Sequence, residues 1–308
     1  MAARSLFGLG AHGEIVKQIQ LALTQAGFDP KGVDGWFGKN TEAALNAFQQ
    51  TNSLAASKFV AEDCWQKLMQ RPVPSVADRS LALTAAFEGH GFGLAVGNFD
   101  GALLTWGIIG FTLISGEIQK IVTSINQAFP QLVAQAFQDS TPELLDLVNA
   151  SPEVQTKWAN EHTLPNQMLV QPWRDMFALF GSFPEVQAEQ MKLVVDDYLT
   201  PAIKAARMLG LTTELGLALI FDGQVQDGGI KAAAVDEVQS NLSANTSEET
   251  LRVAIANAVA DNARPAFRED VRQRKLTIAT GKGNVHGGDY VLDNWGLDGS
   301  FAAAELTD

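Results

Sequence analysis

The chain has 308 residues but a single cysteine and two tyrosines, and none of its apolar runs is long enough to cross a bilayer. Each shortage removes a class of protein. Cys64 alone cannot form an internal disulfide, which fits folding in a reducing cytoplasm, and its place beside Trp65 marks it as a buried filler. The longest apolar stretch, Leu103 to Ile114, falls short of the roughly 20 residues that a membrane helix needs, so no membrane insertion is expected. The opening residues hold Arg4 but no apolar segment of signal length, so synthesis in the cytoplasm without a signal peptide is expected. His12, His90, His162 and His286 are scattered and complete no zinc-ligand spacing with Cys64, so no metal is expected and zinc-dependent amidase or peptidase chemistry is disfavoured. A Gly-Lys-Thr phosphate loop and a dinucleotide fingerprint are both missing, and Gly281-Lys-Gly-Asn lies in the wrong context, so no cofactor is expected either.

What is present reads as a folded, soluble chain, with 46% hydrophobic and 19% charged residues and length enough for two domains, one of them small. It is read as a monomer. The net charge of −13 is uneven. Up to residue 70, Arg4, Lys17, Lys31, Lys39, Lys58 and Lys67 balance Glu14, Asp29, Asp34, Glu42, Glu62 and Asp63, so the acidic excess lies downstream. Such a field disfavours nucleic acid and suits a cationic substrate, though a surface kept soluble by like charge explains it equally well.

Pro72 and Pro74 fall in a stretch with little hydrophobic periodicity, which reads as a linker over 71–79 between domains at 1–70 and 80–308. Upstream, apolar spacing predicts a helix through Ile15, Ile19 and Leu23 closed by Gly27, and another over Thr41–Gln50 capped by Asn40 or Thr41. Downstream, helical spacing covers Leu81–Phe87, Ser115–Phe137, Thr141–Leu147, Pro152–Glu161, Gln171–Phe180, Pro184–Leu209, Thr213–Phe221, Gly229–Asn241 and Glu248–Arg274. The expected class is mainly α.

The run Val33-Asp-Gly-Trp-Phe-Gly-Lys-Asn-Thr-Glu-Ala-Ala-Leu-Asn-Ala-Phe combines two glycines for a tight loop, an aspartate able to hold that loop's amides, and an apolar helix face. With Gly13-Glu-Ile-Val and Leu23 to Phe28, it resembles the widespread peptidoglycan-binding domain appended to cell-wall hydrolases. The resemblance implies a three-helix module with a shallow groove for peptidoglycan. Asp34, Trp36 and Lys39 are its candidate lining, because a flat ring stacks on a sugar face while polar neighbours fix orientation. Packing of Trp36 and simple solvation of Lys39 are the plain alternatives.

In the second domain, Glu88 ends an apolar helical stretch and meets glycine at once, a junction where a carboxyl can be half-buried and still reach a ligand. Burial raises a carboxyl pKa, as a general acid requires. Asp100 then precedes a turn, and Thr105 opens a glycine-spaced apolar run through Gly107 and Gly110. Read singly, each has an innocent explanation: a solvated helix end, a turn aspartate, a threonine at a strand or helix edge. The order Glu, Asp, Thr, with Thr105-Trp-Gly-Ile-Ile-Gly-Phe-Thr, looks like the lysozyme-like superfamily and is most similar to glycoside hydrolase family 46 chitosanases. The interval from Glu88 to Asp100 is shorter than in those chitosanases.

That resemblance implies Glu88 as general acid, Asp100 as general base and Thr105 as a holder of the attacking water. Carboxyls roughly 6.5–9.5 Å apart give inversion and about 5–5.5 Å retention; inversion is expected by analogy. It also implies that the helix around Leu217 to Gln226 borders the sugar cleft, with Asp222 and Gln226 as candidate substrate contacts or else ordinary helix-end residues. Arg264, Arg268, Arg272 and Arg274 read as surface partners of nearby acids, with orientation of a cleft carboxylate as the sharper alternative. His90 is read as an exposed loop residue.

Together these expectations describe a hydrolase of the muramidase type that cuts β-1,4 bonds of peptidoglycan, released by a phage holin or delivered by a secretion system. A chitosanase is the alternative enzyme. A wall-binding or phage structural protein without activity is the third reading.

Overall fold

Ser5–Gly8, buried along its length, forms strand β1, and the apolar spacing beyond it builds helix α1 (Glu14–Gln25), which buries Val16, Ile19 and Leu23 on one face. The computed structural model describes residues 4–89, 91–99, 101–241 and 246–307. Gly27, at φ 87°, closes α1, with the Phe28 amide donating back to the Leu23 carbonyl at 2.8 Å. Helix α2 spans Lys39–Thr51 and is preceded by Gly38, two residues ahead of the expected start. Thr41 does not cap it. That side chain is buried and accepts a hydrogen bond from Gln20 at 3.1 Å. Strand β2 (Phe59–Ala61) pairs antiparallel with β1, and helix α3 (Glu62–Met69) buries Cys64, Trp65 and Leu68.

The stretch expected as a linker is held down. The Trp65 indole donates to the Pro72 carbonyl at 2.8 Å, and Arg71 lies over the Trp65 ring. Helix α4 (Val76–Glu88) starts inside the stretch. Ser75 and Asp78 bond each other's amides at 3.1 and 2.9 Å, a reciprocal cap that satisfies donors at the helix start.

The chain divides into two compact units, Met1–Phe87 with Tyr198–Asp308, and Glu88–Asp197. In the second, strands β3 (Ala95–Val96), β4 (Thr105–Trp106) and β5 (Phe111–Thr112) form a small antiparallel sheet. Six helices follow: α5 (Glu117–Ala128), α6 (Pro130–Phe137), α7 (Thr141–Asn149), α8 (Pro152–Glu161), α9 (Gln171–Phe180) and α10 (Pro184–Val194). Their core gathers Trp106, Phe137, Trp173, Phe177 and Phe180. The helix expected over 115–137 breaks at Phe129, because the ring of Pro130 disfavours helical geometry in the residue before it. The one expected over 184–209 is interrupted by a π-helical turn, Val195–Leu199, just before Pro201, whose missing amide cannot continue the ladder.

Helices α11 (Thr200–Met208), α12 (Glu214–Asp227), α13 (Ala232–Asn241), α14 (Glu248–Asp261) and α15 (Arg268–Thr280) complete the first unit with the hairpin β6 (Lys282–Val285) and β7 (Gly288–Val291). The helix expected over 248–274 splits around Pro265. Helix α12 is buried nearly all round from Glu214 to Gly223. The N-terminal residues belong to this same unit. Arg4 and Arg79 both pair with the fully buried Glu214, and Arg4 Nη2 also donates to the Gly296 carbonyl at 3.0 Å.

Candidate active site

Helix α4 is apolar on almost every side, with Leu81, Leu83, Ala85, Ala86 and Phe87 buried. It therefore runs through packed surroundings and brings its last residue, Glu88, to a half-buried position. Gly89, at φ 66°, turns the chain away, a conformation that favours glycine. The carboxyl at this position is thus carried on a packed helix and only partly exposed.

Asp100 lies outside the described residues, as does His90. The segments flanking Asp100 are tightly fixed. The Asn98 amide donates to Thr163 Oγ1 at 2.8 Å, and Asn98 Oδ1 accepts from the Leu103 amide at 3.1 Å. Leu103 is buried at φ 68°, a left-handed geometry costing about 1–3 kcal/mol in a bulky residue and recurrent at functional sites. Thr105 opens β4, paired with Val96 on one side and Thr112 on the other, and is half-buried. Gln190, fully buried, secures the following turn: its Oε1 accepts from the Ile108 amide and its Nε2 donates to the Phe92 carbonyl, both at 3.0 Å. Nothing in the sequence pattern marked Gln190, because its partners lie 82 and 98 residues away.

Asp222 is not a sugar contact. It is sealed from solvent and its carboxylate is saturated: Arg274 Nε reaches both oxygens at 3.1 and 3.0 Å, Arg274 Nη2 lies 2.7 Å and Lys275 Nζ 2.6 Å away, and Thr84 Oγ1 donates at 3.0 Å. Burial alone would raise this carboxyl, but the two cations and their hydrogen bonds outweigh it and hold the pKa far below the usual range. Gln226 is half-buried and accepts from Lys275 at 2.7 Å, which makes it part of the same network. Arg274 also lies 5.1 Å from the centre of the Phe87 ring, so the network grips α4 at Thr84 and Phe87, the latter immediately before Glu88. Of the spaced arginines, Arg272 pairs with Asp261 and Glu269 near the surface, whereas Arg274 orients a buried carboxylate.

In the N-terminal module, Asp34 Oδ1 accepts from the Trp36 amide and from Gln20 Nε2, both at 2.8 Å. The bond from Gln20, then that from Trp36, keeps the Asp34 carboxyl below its ordinary value. Gln20 is itself buried, and its Oε1 accepts from the Gly35 amide at 2.8 Å. It organises the loop that holds Trp36, and no sequence pattern marks it, because its partners lie 14 and 15 residues away. Trp36 is 54% exposed and stacks on His12 with ring centres 4.5 Å apart and planes 11° from parallel. The ring is thus a solvent-facing plate rather than core. Lys39 is largely exposed and lies 3.4 Å from Glu42.

Among the described residues, no three His, Cys, Asp or Glu side chains gather as metal ligands, and no helix is long and apolar enough to cross a membrane. Residues 12–68 match the family model described as a putative peptidoglycan binding domain. Among solved structures, the GH46 chitosanase GsCsn46A of Gynuella sunshinyii, in complex with chitotetraose, is similar at a TM-score of 0.50 and 14% identity, covering 71% of this chain and 98% of that one. The native chitosanase of Bacillus subtilis MY002 is similar at a TM-score of 0.50 and 19% identity, covering 69% of this chain and 96% of that one. The protein therefore carries a peptidoglycan-binding-type module, and most of the chain has the mainly helical fold of GH46 chitosanases.

Proposed function

We propose that this protein is a glycoside hydrolase that cleaves β-1,4 bonds in the glycan strands of peptidoglycan. In this reading Glu88 protonates the leaving glycosidic oxygen, Asp100 activates a water, and Thr105 helps hold that water, with inversion at the anomeric carbon. The observation that carries it is the presence, in one chain, of a module of the peptidoglycan-binding type and of a buried helix that ends in the half-buried carboxyl of Glu88. Asp222, Arg274 and Lys275 act by fixing the last turn of that helix. In the same reading the protein reaches the wall after holin-type release or through a secretion system.

A chitosanase is the second reading, favoured by the fold it shares with enzymes of that name and by the net charge of −13, which suits a polycation. Purified sacculi and chitosan, each incubated with the protein, separate the two. New reducing ends from sacculi, lost in Glu88→Gln, support the first. Release from chitosan alone replaces it with the second, and release from neither sinks both.

A further inference from the structure

Trp36 presents an exposed indole, and the support beneath that ring extends beyond residues 12–68, the part matched by the family model. The indole stacks on His12, and His12 is seated on the C-terminal part of the same compact unit. Its ring centre lies 5.5 Å from that of Tyr290 and 5.3 Å from that of Trp295, which it meets edge-on. Two hydrogen bonds set how the imidazole is turned. Nδ1 is 3.1 Å from the Gly10 carbonyl and Nε2 is 3.3 Å from the Tyr290 hydroxyl. A carbonyl only accepts, so Nδ1 carries the proton, and in the neutral ring Nε2 accepts from the hydroxyl.

The seat is itself packed. Tyr290, on β7, is buried and meets Phe87 edge-on at 4.7 Å, and Trp295 is buried in the 3-10 turn Leu292–Trp295. Strand β1 lies against that turn so closely that a Cβ on Gly296 would stand 2.9 Å from the Leu6 carbonyl, and one on Gly8 would stand 3.1 Å from Asn294 Oδ1. Stacking on His12 covers one face of the indole and leaves the other to solvent, the face an apolar pyranose surface would meet. A ring already held in place loses little rotamer freedom when a ligand stacks on it, so its seat raises affinity without touching the ligand.

We infer that Tyr290 and Trp295 are positioning residues for carbohydrate binding by the N-terminal module: they seat His12, which holds Trp36 ready to stack on a pyranose of the glycan strand. The inference rests on the peptidoglycan-binding reading of residues 12–68. It makes the module incomplete as a binder without β7 and the turn that follows it.

The test uses the full chain carrying Glu88→Gln, so that binding is read without turnover, titrated with peptide-free glycan strands at a temperature where circular dichroism shows each variant folded. Trp36→Ala and Tyr290→Leu are each expected to weaken binding by about three- to tenfold, and Tyr290→Phe, which keeps the ring, recovers most of that loss. Added to Trp36→Ala, Tyr290→Leu costs nothing further, because its effect passes through the indole. An equal loss from Tyr290→Leu in both backgrounds would mean general damage and overturn the inference. So would full affinity in Tyr290→Leu, or Trp36-dependent binding of stem peptide in place of glycan. His12→Ala runs through the same cycle, and its lack of coupling to Trp36 overturns the inference whatever the folding of the Tyr290 variant. Pelleting with purified sacculi reports on the wall-binding reading separately. Sacculus binding that survives both Trp36→Ala and Tyr290→Leu defeats the positioning role alone, whereas no binding to sacculi by the parent chain defeats the wall-binding reading with it.

Discussion

Arg274 holds both oxygens of Asp222 through Nε while its Nη2 bonds one of them at 2.7 Å, in a place solvent does not reach. Removing one partner strands a buried charge. Asp222→Ala or Arg274→Ala is expected to lower unfolding free energy by about 3–5 kcal/mol, measured by urea denaturation. Arg274→Lys should recover little of it, since an ammonium cannot reproduce the two-pronged contact.

The same pair sets an acid limit. Asp222 titrates lower in the folded protein than the roughly 3.9 of an unfolded chain, so its stabilisation is fully present above that value and is lost as pH falls below it. Melting curves from pH 7 to pH 2 should decline in that acid window. Asp222→Asn should flatten the decline from an already lower starting stability.

Glu88→Gln is expected to cut the release of reducing ends from the polymer substrate by about 10²- to 10⁴-fold with little change in melting temperature. A matched loss of folding would instead mean a structural role for Glu88.

Gln20→Ala is expected to cost about 1–3 kcal/mol, because it leaves the Gly35 amide and the Asp34 carboxylate without their shared partner. The reading that distinguishes loop loosening from general damage is hydrogen exchange in the segment that holds Gly35 and Trp36. It should speed up in the variant well below the unfolding midpoint, while the buried helices keep their protection.

Cys64 is 1% exposed, and burial pushes its thiol up to about 11. At pH 8 iodoacetamide should leave the native protein unmodified and label it at one site after denaturation, as mass spectrometry would record. Rapid native labelling would contradict the packing of α3.

Much of the helical content was legible because apolar spacing and proline positions are local signals: Pro152–Glu161 and Gln171–Phe180 appear with the expected ends. The strands near Thr105 were not, since two-residue strands carry no periodicity and are fixed by partners such as Gln190. Glu88 was visible as a carboxyl before a glycine, but the role of Asp222 was not. An aspartate after Leu217 to Phe221 could equally be a helix end, and its partners stand 52 and 53 residues away. The linker reading of 71–79 failed to see α4 because two prolines outweighed the cap formed by Ser75 and Asp78.

The contact between Gly296 and the backbone of Leu6 bears on how such a protein can be rearranged. Strand β1 precedes residues 12–68, the part matched by the family model, so a truncation at that boundary would remove Arg4 and the strand while leaving Glu214 and the underside of Gly296 exposed. Grafting the module elsewhere, or replacing it with another binding domain, would face the same obstacle. Shuffling would have to carry a matched pair of surfaces, which makes this junction a heritable unit rather than a point of free exchange.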